Sequence, residues 1–182
     1  YYAKSVILAM GSGYRKLGLE NEKRLSGHGV SWCATCDGFF FRNKTVLVVG
    51  GGNTAVEESI YLANIASQVI LVHRRGVLRA EKILQERLFA NPKIDVMWHT
   101  ELDEVLGTDD PLGVNGARLK STLTGETFSI PVDGIFIAIG HVPQTELFKD
   151  QIEMKPNGYI KTAPYATATN IPVPTSALRW RV

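Results

Sequence analysis

Two cysteines three apart, a glycine-rich turn and a cluster of arginines are the residues whose types and spacing support chemistry in this sequence. Cys33-Ala34-Thr35-Cys36 is a C-x-x-C pair. Such a pair can close a short-loop disulfide and work in thiol exchange, supply half of a zinc site, or be two inert structural cysteines. A structural zinc site takes four ligands, no second C-x-x-C exists, and His28 and His99 lack ligand spacing. The neighbours Trp32 and Asp37-Gly38 favour the redox reading. A carboxyl beside a dithiol serves as a general acid/base when burial raises its pKa. Asp37 equally fits a turn or a helix cap, and the sequence does not separate these roles.

The second feature is Gly50-Gly51-Gly52-Asn53-Thr54-Ala55, which fits G-x-G-x-x-G/A with Ala at the third small position. Gly50 makes the tight turn, Gly52 lets backbone approach a pyrophosphate, and Ala55 lets a helix pack close to the preceding strand. The free N–H groups of that helix start then face the phosphates. A tight turn without a ligand is the competing reading. The third feature is Val72-His73-Arg74-Arg75, at the end of the next strand. A site for NAD carries Asp or Glu there to hold the ribose hydroxyls. Here two guanidinium groups stand instead, suited to pair with a 2′-phosphate. Arg79, at the expected start of the following helix, reaches toward the same pocket. The cofactor expected is NADPH; the bland alternative is a solvated basic loop.

These residues need an alternating scaffold, and the hydrophobic pattern supplies one. Thr45–Val49 is a continuous apolar run, as in a strand buried on both faces. A helix follows from Asn53 to about Ala66, with Val56, Ile60 and Ala63 on one face and Glu57 and Glu58 in its first turns. Gln68–His73 is the next strand, Arg79 to about Phe89 the next helix, stopped by Asn91-Pro92, and Ile94–Trp98 a third strand. This order implies parallel strands joined by right-handed crossovers. Asp103–Leu106, Gly116–Leu123, Glu126–Pro131 and Gly134–Ile139 are shorter strand candidates, with a hairpin turn at Thr124-Gly125, so an antiparallel meander is expected. Gly158–Thr162 is one further strand candidate, and Leu147–Ile152 is too short to assign.

The 182 residues correspond to one domain and a fraction. Hydrophobic residues at 45% and charged residues at 21% exclude collagen, coiled coil and wholesale disorder. A net charge of +2 argues against nucleic acid and anionic membrane surfaces as partners. No apolar run approaches the roughly 18 residues of a membrane span. The chain starts at Tyr1, carries no signal-peptide pattern and enters a strand-like run, Ser5–Ala9, almost at once. It ends in a proline-containing stretch without periodicity. The expectation is an internal segment of a longer protein.

Together, Cys33-Ala-Thr-Cys-Asp-Gly38, Val49-Gly-Gly-Gly-Asn-Thr-Ala-Val-Glu-Glu58, His73-Arg-Arg75 and Arg79-Ala-Glu-Lys82 resemble the low-molecular-weight thioredoxin reductases of bacteria, from about residue 3 to Pro172. The resemblance implies an α/β fold: a Rossmann-like NADPH-binding domain with a parallel sheet and an antiparallel β-meander, flanked by remnants of an FAD-binding domain. The expected domains are 1–13 (FAD-domain remnant), 14–142 (NADPH domain with the dithiol) and 143–182 (partial return to the FAD domain with an aberrant C-terminus). It further implies electron flow from NADPH to FAD, to the Cys33–Cys36 disulfide and on to thioredoxin. By position, Cys36 would face the flavin, Cys33 would attack the thioredoxin disulfide and Asp37 would manage the protons. Gly50, Gly52, Asn53, Thr54, His73, Arg74, Arg75 and Arg79 would belong to the NADPH site. Hinges between rotating domains would lie near Gly13–Lys16 and Gly140–Pro143. The parent protein would be a cytoplasmic homodimer.

Three departures qualify this. The family's N-terminal FAD fingerprint is absent, Met10 stands where the family usually has Thr, and resemblance is lost after Pro172, as a reading-frame shift or truncation would produce. The alternative function is therefore an isolated NADPH-binding module without turnover, expected to be colourless.

Overall fold

A computed structural model of the chain describes residues 2–3, 5–172 and 178–179. They divide into two compact units, Tyr14–Gly140 and a second formed by Tyr1–Gly13 with His141–Val182.

The unit Tyr14–Gly140 contains the strands Val30–Ser31 (β1), Thr45–Gly50 (β2), Gln68–His73 (β3), Ile94–Trp98 (β4), Thr100–Asp109 (β5), Leu112–Ser121 (β6), Thr127–Ile130 (β7) and Gly134–Ala138 (β8). Its α-helices are Glu20–Arg24 (α1), Ala34–Asp37 (α2), Asn53–Ala63 (α3) and Lys82–Phe89 (α4). A parallel sheet has the order β1-β8-β2-β3-β4. Strands β5, β6 and β7 form the antiparallel meander. The expected hairpin turn closes between β6 and β7, where Ser121 N–H bonds to Glu126 O at 2.9 Å and Gly125 takes a φ of +78°.

The apolar run of β2 is continuous because the sheet is covered on both faces. Val46 and Val48 pack with Val56 and Leu62 of α3 and Leu88 of α4. Leu47 and Val49 pack the other way, with Leu102 and Val105 of β5 and Ala117 and Leu119 of β6. The same alternation runs through β8, where Phe136 joins the helical side and Ile135 and Ile137 the meander side.

Several sequence expectations are corrected. The sequence pattern places Gly134–Ile139 with the meander, yet β8 lies between β1 and β2 in the parallel sheet, and every residue of it is buried. A strand apolar on both faces fits a doubly covered centre, not a half-solvated hairpin. The meander strands β5 and β6 are ten residues each, longer than their apolar cores. The second helix starts at Lys82, not Arg79, because Arg79 N–H is held by Gly51 O at 2.7 Å and Glu81 N–H by Asn53 Oδ1 at 2.9 Å. The edge strand β1 carried no signal beyond its two residues.

In the other unit Ser5–Ala9 forms no strand; Ile7 is 91% exposed and no described segment pairs with this run. Ser12–Tyr14 and His141–Pro143 pair as a short two-stranded ribbon. Tyr2–Ala3 pairs antiparallel with Leu178–Arg179. Gly158–Thr162 is reduced to one bridge, Met154 with Ile160, and Glu146–Phe148 is a single 3₁₀ turn. Of the stretch after Pro172, residues 173–177 and 180–182 lie outside the described residues, so the aberrant C-terminus is not addressed by the structure.

The short α2 is tied to α3 by Glu58, whose carboxylate accepts the Ala34 N–H while its Oε2 is buried without a partner. Burial pushes the Glu58 pKa up to about 7, and the Ala34 bond opposes that only in part. The folded chain therefore holds a proton here that the unfolded chain releases near its ordinary carboxylate range. The stabilisation is full below that range and is lost as pH rises through about 7. Glu58→Gln should remove this loss: urea-unfolding stability of the variant minus that of the parent should rise between about pH 5 and about pH 8. A difference flat across that window would contradict the assignment.

Candidate functional site

The strands β2, β3 and β8 end at one edge of the parallel sheet, and a pocket of about 440 Å³ opens there. Gly50, Gly52, Thr54, His73, Arg74 and Arg79 are among its lining residues. Ligands of open α/β sheets bind at the carboxyl ends of the strands, as this pocket is placed to allow.

The glycines have separate reasons. A Cβ on Gly50 would lie 2.5 Å from the Ala138 carbonyl oxygen and 2.6 Å from Ala55 Cβ, so β2, β8 and α3 converge on a bare backbone. A Cβ on Gly51 would fall 2.2 Å from the His73 ring. A Cβ on Gly52 would meet nothing within 4 Å. Packing thus excludes side chains at the first two positions but leaves the third facing open space. Gly52 is the N-cap of α3 and no side chain caps that helix, so its first N–H groups present a positive end to the pocket.

His73 is 5% exposed, with Nε2 2.9 Å from Val77 O and its ring edge-on to Trp98. Burial lowers its pKa below the ordinary histidine value; bonds to Val77 and Gly50 oppose the shift, and Arg79 and Arg75 add to it. Its ring braces the glycine turn. Arg74, Arg75 and Arg79 are all exposed, and no carboxylate among the described residues pairs with them. Arg74 and Arg79 line the pocket; Arg75 and Asn53 do not. The Asn53 side chain is instead bonded to Glu81, joining the glycine turn to the start of α4.

The cysteine pair sits on α2. Cys33 and Cys36 form a disulfide with their Cα atoms 5.3 Å apart. Cys33 is the N-cap, its Sγ accepting the Cys36 N–H at 3.2 Å, and Asp37 N–H returns to Cys33 O at 3.1 Å. Cys36 is exposed and Cys33 half-buried. Asp37 Oδ2 accepts the Ser31 hydroxyl at 2.6 Å, and Ser31 Oγ accepts Cys33 N–H at 3.1 Å. Asp37 is thus fixed by a side chain from β1. Sequence reasoning missed Ser31 because a lone serine before a tryptophan carries no spacing signal. It also missed Phe39 and Phe40, exposed at 66% and 70% directly after the dithiol. That exposure was hidden in an apolar triplet whose third member, Phe41, packs edge-on to Phe136 in the core.

A family model described as pyridine nucleotide-disulphide oxidoreductase matches residues 1–173. The thioredoxin reductase of Streptomyces coelicolor is 54% identical over 169 residues, covering 93% of this chain and 52% of that protein. That of Rickettsia prowazekii is 48% identical over 171 residues, covering 94% and 55%. Among solved structures, Lactococcus lactis thioredoxin reductase superposes with a TM-score of 0.81 at 37% identity, over 93% of this chain and 57% of that one. The chain spans about half the length of the curated relatives it matches. A match to the family model along nearly the whole sequence leads to one assignment: the chain belongs to the pyridine nucleotide-disulphide oxidoreductase family.

Proposed function

We propose that this chain is the nucleotide-binding and dithiol-bearing part of an NADPH-dependent disulfide reductase. Electrons pass by way of FAD to the Cys33–Cys36 pair and on to thioredoxin or a thioredoxin-like disulfide protein, in the cytoplasm. The observation that carries the reading is the pairing, within the unit Tyr14–Gly140, of an uncapped helix N-terminus beside unpaired arginines with a disulfide on its own short helix. The relatives' name, thioredoxin reductase, supports the disulfide partner.

Bound NADPH supplies a hydride equivalent. The chain's residues bind and orient it. Gly52 leaves room for the pyrophosphate to approach the α3 amides, and Arg74, Arg75 and Arg79 hold the 2′-phosphate. FAD enters through the resemblance to thioredoxin reductases. The G-x-G-x-x-A turn at Gly50–Ala55 is assigned to the nicotinamide nucleotide. At the dithiol, Cys36 is the thiol turned to the electron donor and Cys33 the one that attacks the partner's disulfide. Asp37 holds the proton that the leaving sulfur takes up. Exposed Phe39 and Phe40 give a protein partner an apolar contact beside the dithiol. The chain crosses between the units at Gly13/Tyr14 and Gly140/His141, where hinges would let the nucleotide-binding unit turn. A homodimeric parent completes the reading, on the resemblance alone.

Calorimetric titration with NADPH tests the site directly: saturable heat is expected, and neither heat nor saturation from folded protein would remove the reading. Replacing Arg74 and Arg75 together by Ala should weaken NADPH by on the order of tenfold or more per arginine, with little change for NADH, since charge-assisted bonds contribute roughly 1.5–3 kcal/mol each. Equal weakening of both nucleotides would remove the 2′-phosphate assignment.

The glycines give a second test. Gly50→Ala should destabilise the fold by about 1–3 kcal/mol through overpacking, read by denaturant unfolding. Gly52→Ala should leave stability within about 0.5 kcal/mol yet weaken NADPH by on the order of tenfold. Unchanged affinity in the Gly52 variant would place the pyrophosphate elsewhere.

A further inference from the structure

We infer that Ser31 is the positioning residue of the dithiol's acid/base group: its hydroxyl is a two-position rotor that serves both protonation states of Asp37. The inference rests on the reading of Asp37 as proton carrier and adds the residue that makes that role workable.

Ser31 is 4% exposed, at the end of β1, where it pairs with Phe136 of β8. It is therefore fixed by the sheet and not by the helix that carries the cysteines. Its oxygen has two acceptors in reach for one proton: Asp37 Oδ2 at 2.6 Å and Cys33 O at 3.3 Å. The same oxygen accepts Cys33 N–H at 3.1 Å. A hydroxyl offers one donor and two acceptor sites. With Asp37 ionised, the hydroxyl donates to the carboxylate and accepts from Cys33 N–H. With Asp37 protonated, the carboxyl O–H donates to Ser31 Oγ, and the serine proton turns to the Cys33 carbonyl. All three sites of the hydroxyl are then used. Each state is satisfied without moving a heavy atom, so Asp37 can lose and regain a proton at a fixed position beside the disulfide.

Asp37 and Ser31 also line a cleft of about 390 Å³, through which the proton is replaced from solvent. The other ionisable groups lining it are His28, Lys44 and Asp133. Asp133 already accepts the Thr45 N–H at 2.9 Å, and Lys44 lies over the Phe41 ring. The bonds made by Ser31 go to Asp37 and Cys33, and none goes to these three groups.

A thiolate of a small dithiol reductant attacks one sulfur of Cys33–Cys36. The S–S bond breaks and its electron pair goes to the departing sulfur. A mixed disulfide forms, and the departing thiolate takes the proton held by Asp37. The reductant's second thiol then completes the reduction of the pair and leaves as its own cyclic disulfide.

This step needs neither nucleotide nor flavin, so it can be measured on the chain as it is. Dithiothreitol reduces the disulfide at one fixed pH, and free thiols are trapped by alkylation and counted by mass. Asp37→Asn, which holds no transferable proton, should slow the reaction by roughly a hundredfold, the lower range for general acid catalysis. In Ser31→Ala the carboxylate loses its donor and the carboxyl its acceptor, so the rate should fall by on the order of tenfold or more. Ser31→Thr, which keeps the hydroxyl, should restore the parent rate. Near-ultraviolet circular dichroism verifies folding of each variant. A Ser31→Ala rate equal to the parent's, with the rate lost in Asp37→Asn, overturns the role of Ser31 and leaves Asp37 standing. A Thr variant that behaves like Ala also overturns it. An Asp37→Asn variant as fast as the parent removes the proton-carrier reading itself, and the Ser31 inference with it. The NADPH titration is indifferent to all three results.

Discussion

The close approach of three backbones at the glycine turn is the constraint on which the rest of the unit depends. β2 ends where Gly50 lies against the Ala138 carbonyl of β8 and the Cβ of Ala55 in α3. One residue on, Gly51 is covered by the His73 ring from the end of β3. Any side chain at either position would push these elements apart. Their convergence makes the strand ends, the start of α3 and the arginine-bearing loop into one pocket. The turn is extended by polar ties: Arg79 N–H to Gly51 O at 2.7 Å, and Asn53 to Glu81. A Rossmann-type site is often described by its ligand contacts, yet most of the glycine requirement here is internal packing. Only Gly52 is left with a reason that lies outside the protein.

The dithiol is positioned by a different principle. α2 has four residues, too few to be stable alone. It is held from three sides: by the Cys33 cap, by Ser31 from β1, and by the Glu58 carboxylate on the Ala34 N–H. Each of these groups is polar and buried or partly buried. The helix therefore stands on hydrogen bonds to fixed elements, and its exposed face is left to Thr35 and Cys36, with Phe39 and Phe40 exposed in the 3₁₀ turn Gly38–Phe41 that follows. That division suits a reactive pair, because the reacting sulfur is accessible while the backbone beneath it cannot follow its movements.

What was legible in the sequence was local. The run Thr45–Val49, the glycine turn and the period of α3 lie within about twenty residues and announce one another. The C-x-x-C pair and the His73-Arg-Arg75 run were legible as chemistry for the same reason. What failed was non-local or depended on a single side chain. β8 reads like a fourth hairpin strand, and only its burial on both faces reveals that it returns to the parallel sheet beside β2. β1 is two residues long and is defined by its partner. Glu58 looks like a favourable first-turn acid, but the direction of its side chain is set by α2, which no helical period can show. The tie between Asn53 and Glu81 that joins the glycine turn to the start of α4 is likewise absent from any local spacing, because its partners are 28 residues apart. Ser5–Ala9 has the composition of a strand without a described partner, and composition alone does not make a ladder.

The distribution of charge gives an independent reason to expect an anion at the glycine turn. The net charge of +2 is small, but its parts are not evenly matched. Among the described residues, carboxylates are spent on ion pairs elsewhere: Asp109 on Arg24, Asp103 and Glu104 on Arg118, Glu146 on Lys149, Glu153 on Lys161. Arg74, Arg75 and Arg79 are left as neighbours of like sign, beside a helix end that is itself positive and uncapped. His73, directly behind them, is held neutral by burial, and the nearby arginines reinforce that shift. Like charges gathered in this way are a cost to the folded state that solvent screening reduces but does not remove. A dinucleotide with a pyrophosphate at one end of this field and a further phosphate at the other would offset that cost at both places.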